Sequence, residues 1–146
     1  MKRLWPILSV LAIISVAALQ QWRIARIQRD LTSEMLRSDW AAAQFAIRWS
    51  PQGPVWFYNP SNRNEATIIE RLRRIYAVRN QNGQLIQYSR TYKDMGLPAA
   101  PVSSSAKPRI WEPTTQIHGV RYLLCSGPIR ADHDEIYELT IGRVLD

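Results

Sequence analysis

Cysteine, glycine and histidine are scarce in this chain of 146 residues, and each shortage limits what the protein can be. The one cysteine, Cys125, cannot form a disulfide within the chain, which excludes a small fold held together by internal disulfides. An intermolecular bridge or a redox role stays open to it, but its place in the strand-like run VRYLLCS favours a buried apolar side chain. The six glycines form no Gly-rich nucleotide-binding loop, so no cofactor is expected.

Acidic residues are also few, since 12 of them stand against 19 lysines and arginines and leave a net charge of +7. Five of the basic residues lie at or before Arg29, around an apolar run, where they can meet anionic lipid headgroups. Aromatic side chains are not interleaved with the other basic residues, as a stacking platform for nucleic acid requires. The run Ser103-Ser104-Ser105 has no histidine–acid pair near it in sequence, which argues against a hydrolase. We therefore expect neither a nucleic-acid partner nor an enzymatic activity in this chain.

Charge is absent altogether from Leu4 to Leu19, a run of sixteen residues that follows Lys2 and Arg3. As a helix this run is roughly 24 Å long, and extension to Trp22 brings it close to the ~30 Å hydrocarbon core of a bilayer. We therefore predict a transmembrane anchor over residues 1–22, with the lipid bilayer as a partner.

A cleaved signal peptide is the alternative to an anchor, because Val16-Ala17-Ala18 loosely fits a small-residue cleavage site. Glycine and proline, however, are absent from Ile7 to Trp49, which predicts one helix that leaves the membrane without a break. That continuity favours an uncleaved anchor. Basic residues stand on both sides of the run, so the positive-inside rule does not decide the orientation.

The predicted helix continues as a stem over residues 23–49 and carries an apolar stripe at three- and four-residue steps. Such a stripe seeks a partner surface, which is either a second copy of the chain or the chain's own sheet. We predict that the membrane-proximal half forms a parallel homodimer and that Trp40 to Ile47 pack on the domain. The predicted dimer residues are Ile24, Ile27, Leu31 and Met35. The run Ser50-Pro51-Gln52-Gly53-Pro54 then ends the helix.

Residues 50–146 are predicted to form an α+β domain. Asn82-Gly83 lies between two runs of alternating apolar and polar residues, which predicts a hairpin over Ile75–Ser89. A helical stretch that is capped by Asn64 or Thr67 precedes it, and a surface loop follows from Tyr92 to Lys107. Val55–Tyr58 is predicted as a short strand or as a wall of the core, and the remaining predicted strands are Arg109–Gln116, Val120–Ile129 and Ile136–Val144. The pattern predicts one antiparallel sheet of about five strands that is backed by helices.

Several short motifs follow one another in a fixed order, namely Asn82-Gly83, Ser89, Leu97-Pro98, Gly119, Arg121 and the closing run Gly142-Arg143-Val144-Leu145. In this order they resemble the extracytoplasmic input domain of bacterial two-component sensor histidine kinases. The resemblance covers nearly the whole chain. It implies a PAS-like sensor domain on the outer side of the bacterial inner membrane, a paired chain, and a small molecule or an ion as the signal.

The family pattern continues beyond what this sequence contains. Neither His118 nor His133 lies in a helix of the phosphoacceptor type, so the 146 residues are not expected to phosphorylate anything. The chain is then either the N-terminal part of a longer kinase or a stand-alone membrane-anchored protein. The alternative function is a bitopic envelope structural or assembly protein whose small domain docks partner proteins.

Two sets of residues are candidate ligand sites. Arginines and aromatics on neighbouring predicted strands could hold a carboxylate or another small anion, unless they only pair across strands with Glu112 and Glu138. This set consists of Arg109, Trp111, Arg121, Tyr122 and Arg130. The second set, Asp132-His133-Asp134-Glu135, could bind a metal ion or form a solvated loop.

Overall fold

The computed structural model describes residues 5–98, 105–114, 116–132 and 134–145. The chain divides into two compact units, Met1–Leu31 and Thr32–Asp146. The described residues of the first unit, from Trp5 onwards, belong to helix α1, which runs from Trp5 to Ala46. The helix is long and apolar enough to cross a membrane, a property that a signal sequence near the N-terminus shares.

Helix α1 ends at Ala46, three residues before the end that the sequence predicts. Residues Ile47–Ser50 instead form strand β1, which pairs antiparallel with strand β2, Gly53–Trp56. The extended backbone lets Ile47 pack into the core and places Trp56 edge-on to the Tyr76 ring at 5.2 Å. Burial on the sheet domain therefore outweighs the helical preference of this segment.

The main sheet has five strands in the order β4-β3-β7-β6-β5, and every neighbouring pair is antiparallel. Its strands are β3 (Tyr76–Arg79), β4 (Leu85–Tyr88), β5 (Arg109–Trp111), β6 (Arg121–Arg130) and β7 (Ile136–Leu145). The predicted α+β class and the antiparallel sheet are confirmed, and so is the hairpin at Asn82-Gly83. Strand β5 is shorter than predicted, because Pro113 follows closely and cannot donate to a strand ladder.

Two short helices complete the second unit. Helix α2 spans Arg63–Arg73, and the Asn62 side chain caps it by accepting from the backbone N–H of Asn64 and Glu65. The predicted caps at Asn64 and Thr67 are therefore wrong by a few residues. Helix α3 (Arg90–Asp94) follows strand β4 of the hairpin and overlaps the start of the predicted surface loop. Residues 99–104 of that loop lie outside the described part.

The sheet packs on both faces, because successive side chains of β6 alternate between two apolar clusters. Leu123 and Cys125 face α1 and α2, whereas Tyr122 and Leu124 face α3. On the first face, the Trp40 indole N–H donates to the Leu139 carbonyl at 2.8 Å. Cys125 is fully buried, as its sequence context predicts.

Candidate functional site

A groove of about 640 Å³ lies at one end of the sheet domain, where β1 meets the ends of β6 and β7. Strands β6 and β7 pair with each other as far as Arg130 and Ile136, whereas the pairing of β5 with β6 ends at Ser126. The β6–β7 pair therefore extends beyond β5. The projecting ends form one wall of the groove. The other wall is the end of α1 with β1, which is held by the Phe57 N–H donating to the Ala46 carbonyl at 2.7 Å.

The walls combine apolar and charged side chains. Phe45 is 74% exposed, which is unusual for a phenylalanine, and Trp49 stacks against Tyr137 with ring centroids 4.2 Å apart. Arg48, Arg130 and Asp132 also line the groove. In the part of the chain that the structure describes, neither arginine has an ion pair.

Of the predicted ligand set, Arg130 lines the groove and the other four residues lie elsewhere. Tyr122 is 8% exposed in the cluster under α3, and Trp111 donates to the Ser126 hydroxyl at 2.9 Å. Arg121 projects from the opposite face to Tyr122 and pairs with Glu112 at 2.7 Å, which raises the pKa of Arg121. The guanidinium of Arg109 lies 5.9 Å from the centre of the Trp111 ring.

The predicted metal set lies in the turn between β6 and β7, and its member His133 is outside the described residues. Asp132, Asp134 and Glu135 are exposed. Glu135 accepts a hydrogen bond of 2.6 Å from the Tyr137 hydroxyl, and that bond is the main reason why the pKa of Tyr137 is raised. Over the described ranges, no group of three or more histidine, cysteine, aspartate or glutamate residues is placed to hold a metal ion.

The predicted dimer residues divide between the two units. Ile24, Ile27 and Leu31 are exposed side chains of the first unit. Met35 belongs to the second unit, where its sulfur lies 3.6 Å from Nη1 of Arg143. Met35 nevertheless remains 47% exposed, so the stripe is still accessible at that position.

A buried ionic cluster, which we call the Asp39 cluster, joins three elements of the second unit. Asp39 on α1 is 5% exposed and accepts from Arg71 of α2 at 2.8 Å and from Arg143 of β7 at 2.5 Å. Two guanidinium groups therefore compensate one buried carboxylate, as a charge in the interior requires. The cluster connects α1 to the same strand, β7, that begins at the groove with Ile136.

Sequence reasoning missed the groove because it assigned Arg48 and Trp49 to the stem helix, whereas the structure places both in strand β1. The alternating run Ile47-Arg48-Trp49-Ser50 before a Pro-Gln-Gly turn is the signal that could have predicted a strand there. Comparisons of the chain with protein-family models, with curated proteins and with solved structures gave no match. The site is therefore argued from the residues of this chain alone.

Proposed function

We propose that this chain is the signal-input region of a membrane-bound two-component sensor histidine kinase. Residues 1–22 anchor it in the bacterial inner membrane, and the unit Thr32–Asp146 is a PAS-like sensor domain outside the cytoplasm. The observation that carries the proposal is the Asp39 cluster, because it ties helix α1, which contains the apolar segment, to the strand that leads from the groove.

A binding event at the groove has a short route to α1. Phe45 is itself the second-last residue of α1, and Trp40, one turn and a half earlier, donates to the backbone of β7 at Leu139. A ligand between β1 and the β6–β7 ends would shift these contacts and favour one of two arrangements of the helix against the sheet. A sensor requires a ligand with different affinities for two such states.

The reading frame that follows the codon for Asp146 tests this proposal directly. We expect a second apolar segment, then a helix with a phosphoacceptor histidine, then an ATP-binding domain. A frame that encodes none of these would overturn the kinase assignment and favour the bitopic envelope assembly protein, whose small domain docks partner proteins.

The orientation is tested by fusions placed after Asp146. Alkaline phosphatase should be active there and a cytoplasmic fluorescent protein should be dark, since the domain lies outside the cytoplasm. The reverse pattern would contradict the proposal. N-terminal sequencing of the mature protein should start at residue 1, and a start at Leu19 would instead establish a cleaved signal peptide.

The proposed role of the Asp39 cluster is tested in the full-length kinase. Asp39→Asn removes the charge that joins α1 to β7 and should change autophosphorylation in membranes, either locking it on or abolishing it. Asp94→Asn is the matched control. Asp94 forms an exposed ion pair with Arg90 at 3.9 Å and does not line the groove. Equal output from both variants and the unchanged protein would contradict transmission through the cluster.

A further inference from the structure

The groove at the end of the sheet contains more positive than negative charge. Arg48 and Arg130 are both exposed side chains of its lining, and Asp132 is the one acidic residue among the described lining residues. Arg71, Arg143 and Arg121, in contrast, each contact a carboxylate within 2.8 Å. Among the described residues, Arg48 and Arg130 have no such ion pair, and both line one cavity.

The same groove offers apolar surface directly beside these charges. Phe45 is the most exposed of the large hydrophobic residues in the described chain, and Ile136 across the groove is 37% exposed. The Trp49 ring is held in place by its stacking on Tyr137. Side chains of this kind bury the body of a small molecule, while a few polar groups fix its orientation.

The geometry points to a small organic anion as the ligand of this groove, with its carboxylate or phosphate on Arg48 and Arg130 and its apolar body on Phe45 and Trp49. Guanidinium groups suit this role because they offer paired N–H donors to two oxygens of one anion. The volume of about 640 Å³ falls within the range of small-molecule sites. The ligand class is argued from the lining of the groove alone. Only the consequence of binding, a signal to a kinase, rests on the proposed function.

Asp132 places a negative charge in the lining of the groove, where it opposes the binding of an anion. It lines the groove and also a second recess that Ser50 and Gly53 line, so it lies where the two adjoin. A carboxylate at this boundary repels an anion. Its removal should therefore strengthen binding of the anion, whereas removal of either arginine should weaken it.

The test uses the full chain in nanodiscs of phosphatidylcholine, which carries no net charge, and measures binding by calorimetry. The probes are phenylacetate, phenyl phosphate and the uncharged 2-phenylethanol. We expect at least one anion to bind about tenfold or more tightly than the alcohol, because hydrogen bonds to charged groups supply that difference. The better anion distinguishes a carboxylate site from a phosphate site.

Variants locate the binding. Arg48→Gln with Arg130→Gln should weaken binding of the better anion about tenfold or more, and Asp132→Asn should strengthen it. Arg63→Gln is the matched control, because Arg63 begins α2 and does not line the groove, and its affinity should equal that of the unchanged protein. Circular dichroism verifies that each variant is folded, which is expected because both groove arginines are exposed.

The inference would be overturned if neither anion bound at millimolar concentration, or if the anions and the alcohol bound with equal affinity. It would also be overturned if the double variant bound the better anion as tightly as the Arg63→Gln control does. These outcomes leave the kinase assignment untouched, since the downstream reading frame decides that separately. A chain that binds the anion but is not followed by a kinase would contradict the proposed function and retain the ligand class.

Discussion

Asp39 on α1 and Arg143 on β7 form a hydrogen-bonded ion pair with a separation of 2.5 Å, although they are 104 positions apart in sequence. The pair joins the first helix of the chain, α1, to its last strand, β7. Arg71 completes the compensation of the carboxylate at 2.8 Å. The two arginines are 23% and 47% exposed in their side chains, so the carboxylate is the most deeply buried partner.

Replacement of Asp39 by asparagine should therefore destabilise the sheet domain by about 2 kcal/mol. The value is set below that of a fully buried pair because both arginines keep contact with water. Urea unfolding of the full chain in detergent, followed by tryptophan fluorescence, measures the change. Asp94→Asn should alter the free energy of unfolding by less than about 0.5 kcal/mol. Similar losses in the two variants would contradict a special role for the buried carboxylate.

Replacement of Gly83 by alanine should cost about 1 kcal/mol, and replacement by valine should cost more. Gly83 has a φ of 78°, whereas its neighbour Asn82 does not have a positive φ. Only glycine adopts this backbone without a steric penalty from Cβ. Asn82→Ala is the control in the same turn and should have a much smaller effect. A Gly83→Ala variant as stable as the unchanged protein would show that the turn relaxes to another conformation.

The thiol of Cys125 should react very slowly in the folded protein. Burial raises its pKa from 9.0 to about 11, and Arg37 opposes this only in part. At pH 8 the thiolate fraction is then about a hundredfold lower than that of an ordinary cysteine, before the barrier of burial is added. Reaction with iodoacetamide at pH 8 should become fast only in denaturant, and fast labelling of the native chain would refute the buried placement.

The same thiol gives the folded state a pH dependence at high pH. Because the folded pKa lies above the unfolded one, the neutral thiol contributes full stability below about pH 9. This contribution is lost as the pH rises towards 11, since the unfolded chain releases the proton more readily. In a Cys125→Ala variant, this part of the decline in stability between pH 9 and 11 should be absent.

The membrane-proximal stem should pair two chains along one face. Single cysteines at Ile24, Ile27 and Leu31, which are all exposed, should cross-link between chains more readily than cysteines at Arg23 and Arg29. The native Cys125 does not interfere, because it is fully buried. Oxidative cross-linking in membranes, read on non-reducing gels, is the measurement. Equal cross-linking around the helix would contradict a parallel dimer.

The sequence by itself determined those features that local pattern specifies. The Asn82-Gly83 turn, the antiparallel strands around it and the burial of Cys125 follow from alternation and from the φ that glycine allows. The apolar run near the N-terminus is likewise a local property, and it produced a helix that could cross a membrane.

Only the tertiary structure decided where α1 ends and what surrounds Arg48 and Arg130. The segment from Ile47 has residues that fit either a helix or a strand, and its pairing with Gly53–Trp56 and packing against the sheet selected the strand. As part of a strand, Arg48 lies in the groove that Arg130 also lines. The packing of α1 on the sheet places Asp39 beside Arg143. Such contacts join residues far apart in the chain, and their energies depend on burial, which no local pattern specifies.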